Sequence, residues 1–254
     1  IAADRIDRVE PASWWVGMKD GNLQLLVHGD RVAELAPRLN YPGVSVTGVE
    51  RVENPNYLFV NLKLAPETKP GSFRIDFLQG RSRVASRKYE LYAREPGSAD
   101  RVGFGPQDTI ILVTPDRFAN GNPANDTVKG MPDGLDRAKS LGRHGGDLQG
   151  ISNHLDYLAG MGYTQLWLNP VLENNQPDVT YHGYAITDLY RTDPRMGSNE
   201  DVQALSREAK AKGVGIVMDV VLNHIGSKHW WMRDPPAKDW INNGGTFTPT
   251  NHRR

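Results

Sequence analysis

A long apolar run in this chain closes on two polar residues. Val214-Gly215-Ile216-Val217-Met218-Asp219-Val220-Val221-Leu222-Asn223-His224 holds a carboxylate inside it and ends on an amide and an imidazole. Burying Asp219 in such a run is costly unless other groups hydrogen-bond it, so the position implies an organised polar cluster at the far end. His224 reads there as a neutral imidazole that donates to a ligand hydroxyl; a metal role needs a second ligand that the sequence does not place. A second segment, Tyr181-His182-Gly183-Tyr184-Ala185-Ile186-Thr187-Asp188-Leu189-Tyr190, mixes aromatic faces, which stack on sugar rings, with His and Asp, which bind hydroxyls. Aromatic packing under a long loop fits the same residues, and both readings stay open. A third is rich in oxygen donors: Asp116-Arg117-Phe118-Ala119-Asn120-Gly121-Asn122-Pro123-Ala124-Asn125-Asp126, followed later by Gly145-Gly146-Asp147. Calcium takes carboxylate, amide and backbone oxygens, but the spacing is not that of an EF-hand. On composition alone, ordinary Asx turns, with Asp147 capping the following helix, fit better. Asn125-Asp126-Thr127 is also a glycosylation sequon.

These segments need elements to hold them. Strand-like Thr109 to Val113 is followed by a helical stripe of Leu148, Ile151, Leu155 and Leu158 that stops at Gly160, and then by strand-like Thr164 to Leu168. Ser198 and Asp201 form a capping-box pattern that opens a second helix, which Gly213 ends before the run described above. The order is βαβαβ, and it implies a parallel sheet whose run from Val214 is a strand covered on both faces. Helix-to-strand links are very short, whereas the strand-to-helix segments, 114–147 and 169–197, are long. Long loops on one face are the mark of a parallel barrel with its site at the C-terminal ends of its strands. A dinucleotide-binding sheet is the rival, but no G-x-G-x-x-G directly follows Val113 or Leu168.

Ahead of this lies a different pattern. Leu23 to His28, Val44 to Val49, Tyr57 to Leu64, Phe73 to Leu78 and Arg87 to Tyr92 are short strand-like runs separated by turn-formers, which argues for a β-sandwich. Leu58, Val60, Leu62 and Leu64 alternate with Phe59, Asn61 and Lys63, as a half-buried strand should. Trp14 and Trp15 fit either a sugar platform or sandwich core, core being favoured, and Glu95-Pro96-Gly97-Ser98 reads as a linker.

Composition narrows the partners. Thirty basic residues balance thirty acidic ones among 254, so neither a nucleic acid nor a membrane is expected as a partner. No window approaches a membrane span, and the start, Ile1-Ala2-Ala3-Asp4-Arg5, lacks Met and a signal-type apolar core, which points to trimming. Without cysteine there is no disulfide and no thiolate zinc site.

Taken together, Asp219-Val220-Val221-Leu222-Asn223-His224 and Tyr181-His182-Gly183-Tyr184 resemble conserved segments of the α-amylase family of glycoside hydrolases. Asp116-Arg117-Phe118, the Asn120 to Asp126 stretch and Gly145-Gly146-Asp147-Leu148-Gln149-Gly150, with Trp14-Trp15-Val16-Gly17-Met18, narrow the likeness to its cyclomaltodextrinase, neopullulanase and maltogenic-amylase group. The resemblance implies an N-terminal immunoglobulin-like β-sandwich over 1–95, followed over 96–254 by the first part of a TIM (β/α)8 barrel, with an inserted small domain starting at about 230. It implies calcium held by Asn120, Asn122, Asn125, Asp126, the Gly145 carbonyl and Asp147. Asn122 stands where the group often has Asp, which removes a charge. It also implies that His182 and His224 hydrogen-bond a glucose unit, that Tyr184 stacks beneath it and that Asp219 supports the site, with no bond-breaking residue within 1–254. The implied activity is hydrolysis of α-1,4-glucosidic bonds in cyclodextrins and maltooligosaccharides with retention, by carboxylates beyond this chain. A non-catalytic glucan-binding or transport-associated protein on the same scaffold is the alternative. Self-association through the N-terminal domain and a periplasmic or secreted location, the cytoplasm remaining open, complete the expectations.

Overall fold

The computed structural model describes residues 5–249; Ile1 to Asp4, where the trimmed start is expected, and residues 250–254 lie outside them. Two compact units result. One runs to Arg101 and takes in the chain again from Asp234, and the other is Val102–Arg233.

In the first unit, β1 (Ile6–Glu10), β2 (Ser13–Trp15), β3 (Asn22–Gly29), β4 (Ala36–Leu39), β5 (Val44–Glu50), β6 (Tyr57–Leu64), β7 (Gly71–Gln79) and β8 (Ser82–Tyr92) form two four-stranded sheets, β1-β3-β6-β5 and β2-β8-β7-β4. Pairing in β3 and β6 sets Leu23 opposite Leu62, Leu25 opposite Val60 and Val27 opposite Leu58, so the apolar positions of both strands share one buried face. Phe73, Ile75 and Phe77 of β7 meet that face from the other sheet, and one core joins the two. The sequence reading finds β3 and β5 to β8 but misses β1, β2 and β4. All three missed strands are sheet edges: β2 has three residues, β4 contains Pro37 and β1 is largely polar, which is how edges avoid further pairing. Trp14 packs against the core, whereas Trp15 is exposed and meets Tyr92.

Residues from Asp234 onward are tied into this unit by polar contacts. The Asp234 carboxylate accepts from Asn54 Nδ2 (2.5 Å) and Asn56 Nδ2 (3.0 Å) and lies 2.9 Å from His28 Nε2, while the Tyr57 hydroxyl donates to the Asp234 carbonyl. Burial works to raise the Asp234 carboxyl, but the bonds from His28, Asn56 and Asn54 outweigh it and hold the group below the usual carboxylate range.

The second unit is built on three parallel strands, β9 (Ile110–Val113), β10 (Gln165–Leu168) and β11 (Gly215–Met218), ordered β11-β10-β9 and in register, with Val113, Leu168 and Met218 side by side. After β9 come a single turn, α1 (Pro115–Phe118), then α2 (Leu148–Asn153) and α3 (Leu155–Gly160); α4 (Asn199–Ala211) precedes β11. Leu148, Ile151, Leu155, Leu158, Leu205 and Ala209 cover one face of the sheet. This is the arrangement of the opening strands of a (β/α)8 fold. The helical stripe is two helices rather than one: His154 Nδ1 lies 2.7 Å from the Gly150 carbonyl, and the His154 amide turns to Ile151 instead. The expected capping box closes α4, with the Ser198 hydroxyl accepting from Asp201 N and the Asp201 carboxylate accepting from Ser198 N. Gly213, at φ 75°, makes the tight exit.

One expectation needs correcting. The run from Val214 is not buried on both faces: its strand ends at Met218, Asp219 is only partly covered and Leu222 is 92% exposed. The cause is position. Among the described residues β11 is an edge, and the sheet face away from the helices, with Leu112 56% and Trp167 42% exposed, is open.

Candidate functional site

Parallel register brings Thr114, Asn169 and Asp219 to the C-terminal ends of the three strands as neighbours in one row. Asn169 is buried, and its side chain links two loops: Oδ1 accepts from the Thr114 hydroxyl at 3.2 Å and Nδ2 donates to the His182 carbonyl at 3.2 Å. Above it, Thr180-Tyr181-His182-Gly183 forms a turn closed by Gly183 N donating to the Thr180 carbonyl at 3.2 Å. Gly183 is required there, since its φ is 83° and a Cβ would stand 2.0 Å from the Pro170 carbonyl oxygen. Val179, just before the turn, has φ 51°, where a β-branched side chain is strained by about 1–3 kcal/mol.

The turn delivers two rings. His182 and Tyr184 stack with centroids 5.7 Å apart, and Tyr184 N donates to His182 Nδ1 at 2.9 Å. Nδ1 therefore carries no proton, which leaves Nε2–H as the ring's donor. Burial holds the His182 imidazole below the ordinary histidine pKa and favours this neutral form. Tyr184, 36% exposed, donates its hydroxyl to Asp219 Oδ2 at 2.7 Å, and that bond is the main cause that raises its pKa. Trp167 Nε1 donates to the same oxygen at 3.3 Å. His224 Nε2 lies 2.9 Å from the Tyr184 carbonyl, which can only accept, while Asn223 Nδ2 lies 3.1 Å from Nδ1. Its ring N–H is thus engaged by protein, so donation to a ligand hydroxyl requires that bond to be exchanged. His182, Tyr184, Asp219 and His224, which stand up to 42 positions apart in sequence, form one hydrogen-bonded group presenting an aromatic face, a ring N–H and a carboxylate.

The oxygen-rich segment divides. Asn120 Nδ2 donates to Asp126 Oδ1 at 2.7 Å, and a Cβ on Gly145, whose φ is 84°, would stand 2.7 Å from that same carboxylate oxygen. Asn120 Oδ1 and Asn125 Oδ1 are buried with no hydrogen-bond donor, each a deficit of about 1–3 kcal/mol unless something else supplies positive charge. Asn122 and Asp147 do local work: Asn122 Oδ1 accepts from Ala124 N at 3.2 Å, and Asp147 accepts from Gly121, Asn122 and Gly150 amides at 2.6–3.0 Å, capping α2. Among the described residues no group of three or more His, Cys, Asp or Glu side chains gathers as a metal site. The unpartnered Asn120 and Asn125 oxygens and the neighbouring Asp126 carboxylate are nonetheless hard donors of the chemistry that calcium takes.

Several contributors escaped the sequence reading. Asn169 sits at a strand end as Asn223 does near another, and that position was its available signal. Trp167 lies on the sheet's open face, and Arg143, 1% exposed, looks like any surface arginine until the loops are folded.

Comparison with known proteins accords with this geometry. The family described as "Alpha amylase, catalytic domain" matches residues 112–248, and "Cyclomaltodextrinase, N-terminal" matches residues 8–95. The chain is similar to a beta/alpha-amylase of Paenibacillus polymyxa (37% identity over 146 residues, 56% of this chain and 12% of that protein). It is also similar to a cyclomaltodextrinase of Geobacillus thermopakistaniensis (36% over 139 residues, 54% and 22%) and to a periplasmic alpha-amylase of Escherichia coli (37% over 130 residues, 46% and 19%). The chain thus spans less than a quarter of the length of these relatives.

Proposed function

The chain belongs to the alpha-amylase family, and on that footing we propose that the full-length protein hydrolyses α-1,4-glucosidic bonds of cyclomaltodextrins and related α-glucans with retention. Retention needs two carboxyl groups about 5–5.5 Å apart, one attacking the anomeric carbon and one protonating the leaving oxygen. We assign both to residues outside 1–254 and give this chain the substrate-holding part. The observation that carries the reading is the bond from the Tyr184 hydroxyl to Asp219 beside the stacked His182. It fixes an aromatic face, a carboxylate and a ring N–H in the mixture a glucose unit requires: Tyr184 lies under the sugar ring, His182 Nε2–H donates to a hydroxyl, and His224 and Asp219 hold Tyr184 in place. The two-sheet unit is read as an immunoglobulin-like sandwich, its match to a cyclomaltodextrinase N-terminal region supporting the substrate class. It is also our candidate for self-association, which light scattering with and without residues 1–95 tests. The periplasmic name of one relative supports export to the periplasm or medium, which cell fractionation tests.

The direct test is to incubate the full-length protein with β-cyclodextrin and measure released reducing ends. Release with retained anomeric configuration supports the reading. Binding without release makes the protein a non-catalytic glucan binder on the same scaffold.

Calcium is the cofactor that the oxygen-rich segment fits. Asn120, Asn125, Asp126 and the Gly145 carbonyl would hold it, with Asn122 and Asp147 shaping the loop around it. Its chemistry there would be electrostatic cross-linking of loop oxygens rather than catalysis. Saturating calcium is expected to stabilise the protein by about 2–4 kcal/mol, read as a rise in melting temperature that chelation removes. Asp126→Ala should abolish the calcium-dependent part of that rise.

A further inference from the structure

We propose that Asp116 is a positioning residue that sets the sugar-holding turn through two arginines. The inference rests on reading that turn as the substrate contact. Asp116 is fully buried. Its Oδ2 accepts from Arg117 Nε at 2.9 Å and from His144 N at 2.9 Å, its Oδ1 accepts from Gly145 N at 3.2 Å, and Arg143 Nη2 is 3.6 Å from Oδ1. One carboxylate therefore hydrogen-bonds the first guanidinium and lies in ion-pair range of the second, and each of them goes on to touch a different residue of the turn. Arg117 lies with its guanidinium carbon 3.9 Å from the Tyr181 ring centroid, and its Nη2 is pinned by the Ser140 and Gly142 carbonyls. Arg143 Nη1 donates to the Thr180 hydroxyl at 3.2 Å. Tyr181 in turn meets His182 edge to face at 5.3 Å.

Two further observations show that the turn is held rather than merely adjacent. Thr180 is clamped from the other side as well, its amide and hydroxyl both donating to Asp133 Oδ2 at 2.9 and 2.8 Å. Val179, immediately before it, keeps a left-handed backbone that a β-branched residue adopts only where its surroundings over-determine it. Much of this cluster is buried, and its charges balance locally: Arg143 and Arg195 are buried together with Asp116 and Asp193. In such surroundings Asn in place of Asp116 keeps one acceptor oxygen, and its NH2 must face either the Arg117 and His144 donors or those of Gly145 and Arg143, so it cannot hold both arginines. The turn would then shift, taking the His182 and Tyr184 rings with it.

The test uses the full-length protein with Asp116→Asn and, because that buried change risks misfolding, Arg117→Ala, whose side chain is 27% exposed. Hydrogen–deuterium exchange at the amides of 180–184 should speed up by about tenfold or more in Arg117→Ala, the scale of one lost charge-assisted contact, with β9 to β11 unchanged. With β-cyclodextrin as substrate, kcat should fall on the order of 10²-fold while KM moves less than about threefold, as misplacement of groups that tighten in the transition state requires. Exchange at 180–184 equal to that of the unaltered protein, exchange raised throughout the unit, or a loss confined to KM each overturns the proposal. If the unaltered protein cleaves no sugar, the hydrolase reading fails, yet the exchange arm still decides the positioning role.

Discussion

At the scale of single residues, the site is a set of fixed proton positions. His182 has Nδ1 occupied by the Tyr184 amide and its pKa lowered by burial, so its Nε2–H is the donor offered to a ligand. The sign follows from linkage: with the folded pKa below the ordinary value near about 6.5, the neutral ring costs nothing above that pH, and the contribution is lost as the pH falls through the lower folded value. Affinity for maltooligosaccharides should accordingly stay level from about pH 8 to 6.5 and weaken only below it; calorimetric titration across that range checks this, and a midpoint above the ordinary histidine value contradicts it. Tyr184 gives a second measurement. Its pKa is raised chiefly by the bond to Asp219, so Asp219→Ala should return it towards about 10, read by ultraviolet titration of the phenolate. The residues of this group were legible in the sequence, because a carboxylate and an imidazole closing an apolar run stand out. Their partners were not: which ring nitrogen is free depends on Asn223 and on the Tyr184 backbone, and no spacing encodes that.

At the scale of elements, strands with an apolar pattern were legible, β5, β9 and β11 at sheet edges among them, whereas the short, polar or proline-bearing edges β1, β2 and β4 were not. β6 alternates buried Leu58, Val60, Leu62 and Leu64 with more exposed neighbours, as a strand with one face on the core must. β4, with Pro37 on a sheet edge, carries no such signal. In the loops the limit is different in kind: Asp116, Arg143 and Thr180 meet only after two separate segments have folded, so local periodicity cannot announce them. Val179 offers a prediction at this scale. Val179→Gly removes the cost of a β-branched residue at φ 51° but frees the unfolded chain, and the balance should favour the folded protein by about 1 kcal/mol. Urea unfolding measures it. A loss of stability instead would mean that the side chain's packing outweighs the strain.

At the scale of the whole molecule, the sequence reading expected a break near residue 95 and an inserted small domain from about 230, whereas the compact units interleave along the chain: the first resumes at Asp234. The contacts that draw it back, from His28, Asn54, Asn56 and Tyr57, come from side chains too ordinary to be noticed in sequence. Asp234→Ala should lower the stability of that unit by about 1–3 kcal/mol, discounted for the solvent that reaches the carboxylate, and a two-transition unfolding curve would show the loss confined to one step. The arrangement also has a consequence in time. A ribosome making about 5–20 residues per second releases the stretch between Arg101 and Asp234 over roughly 7–27 s, and for that interval the nascent sandwich stands without the carboxylate that its Asn54, Asn56 and His28 later share. The two-sheet unit therefore acquires its last polar anchor only after the whole of residues 102–233 has been synthesised.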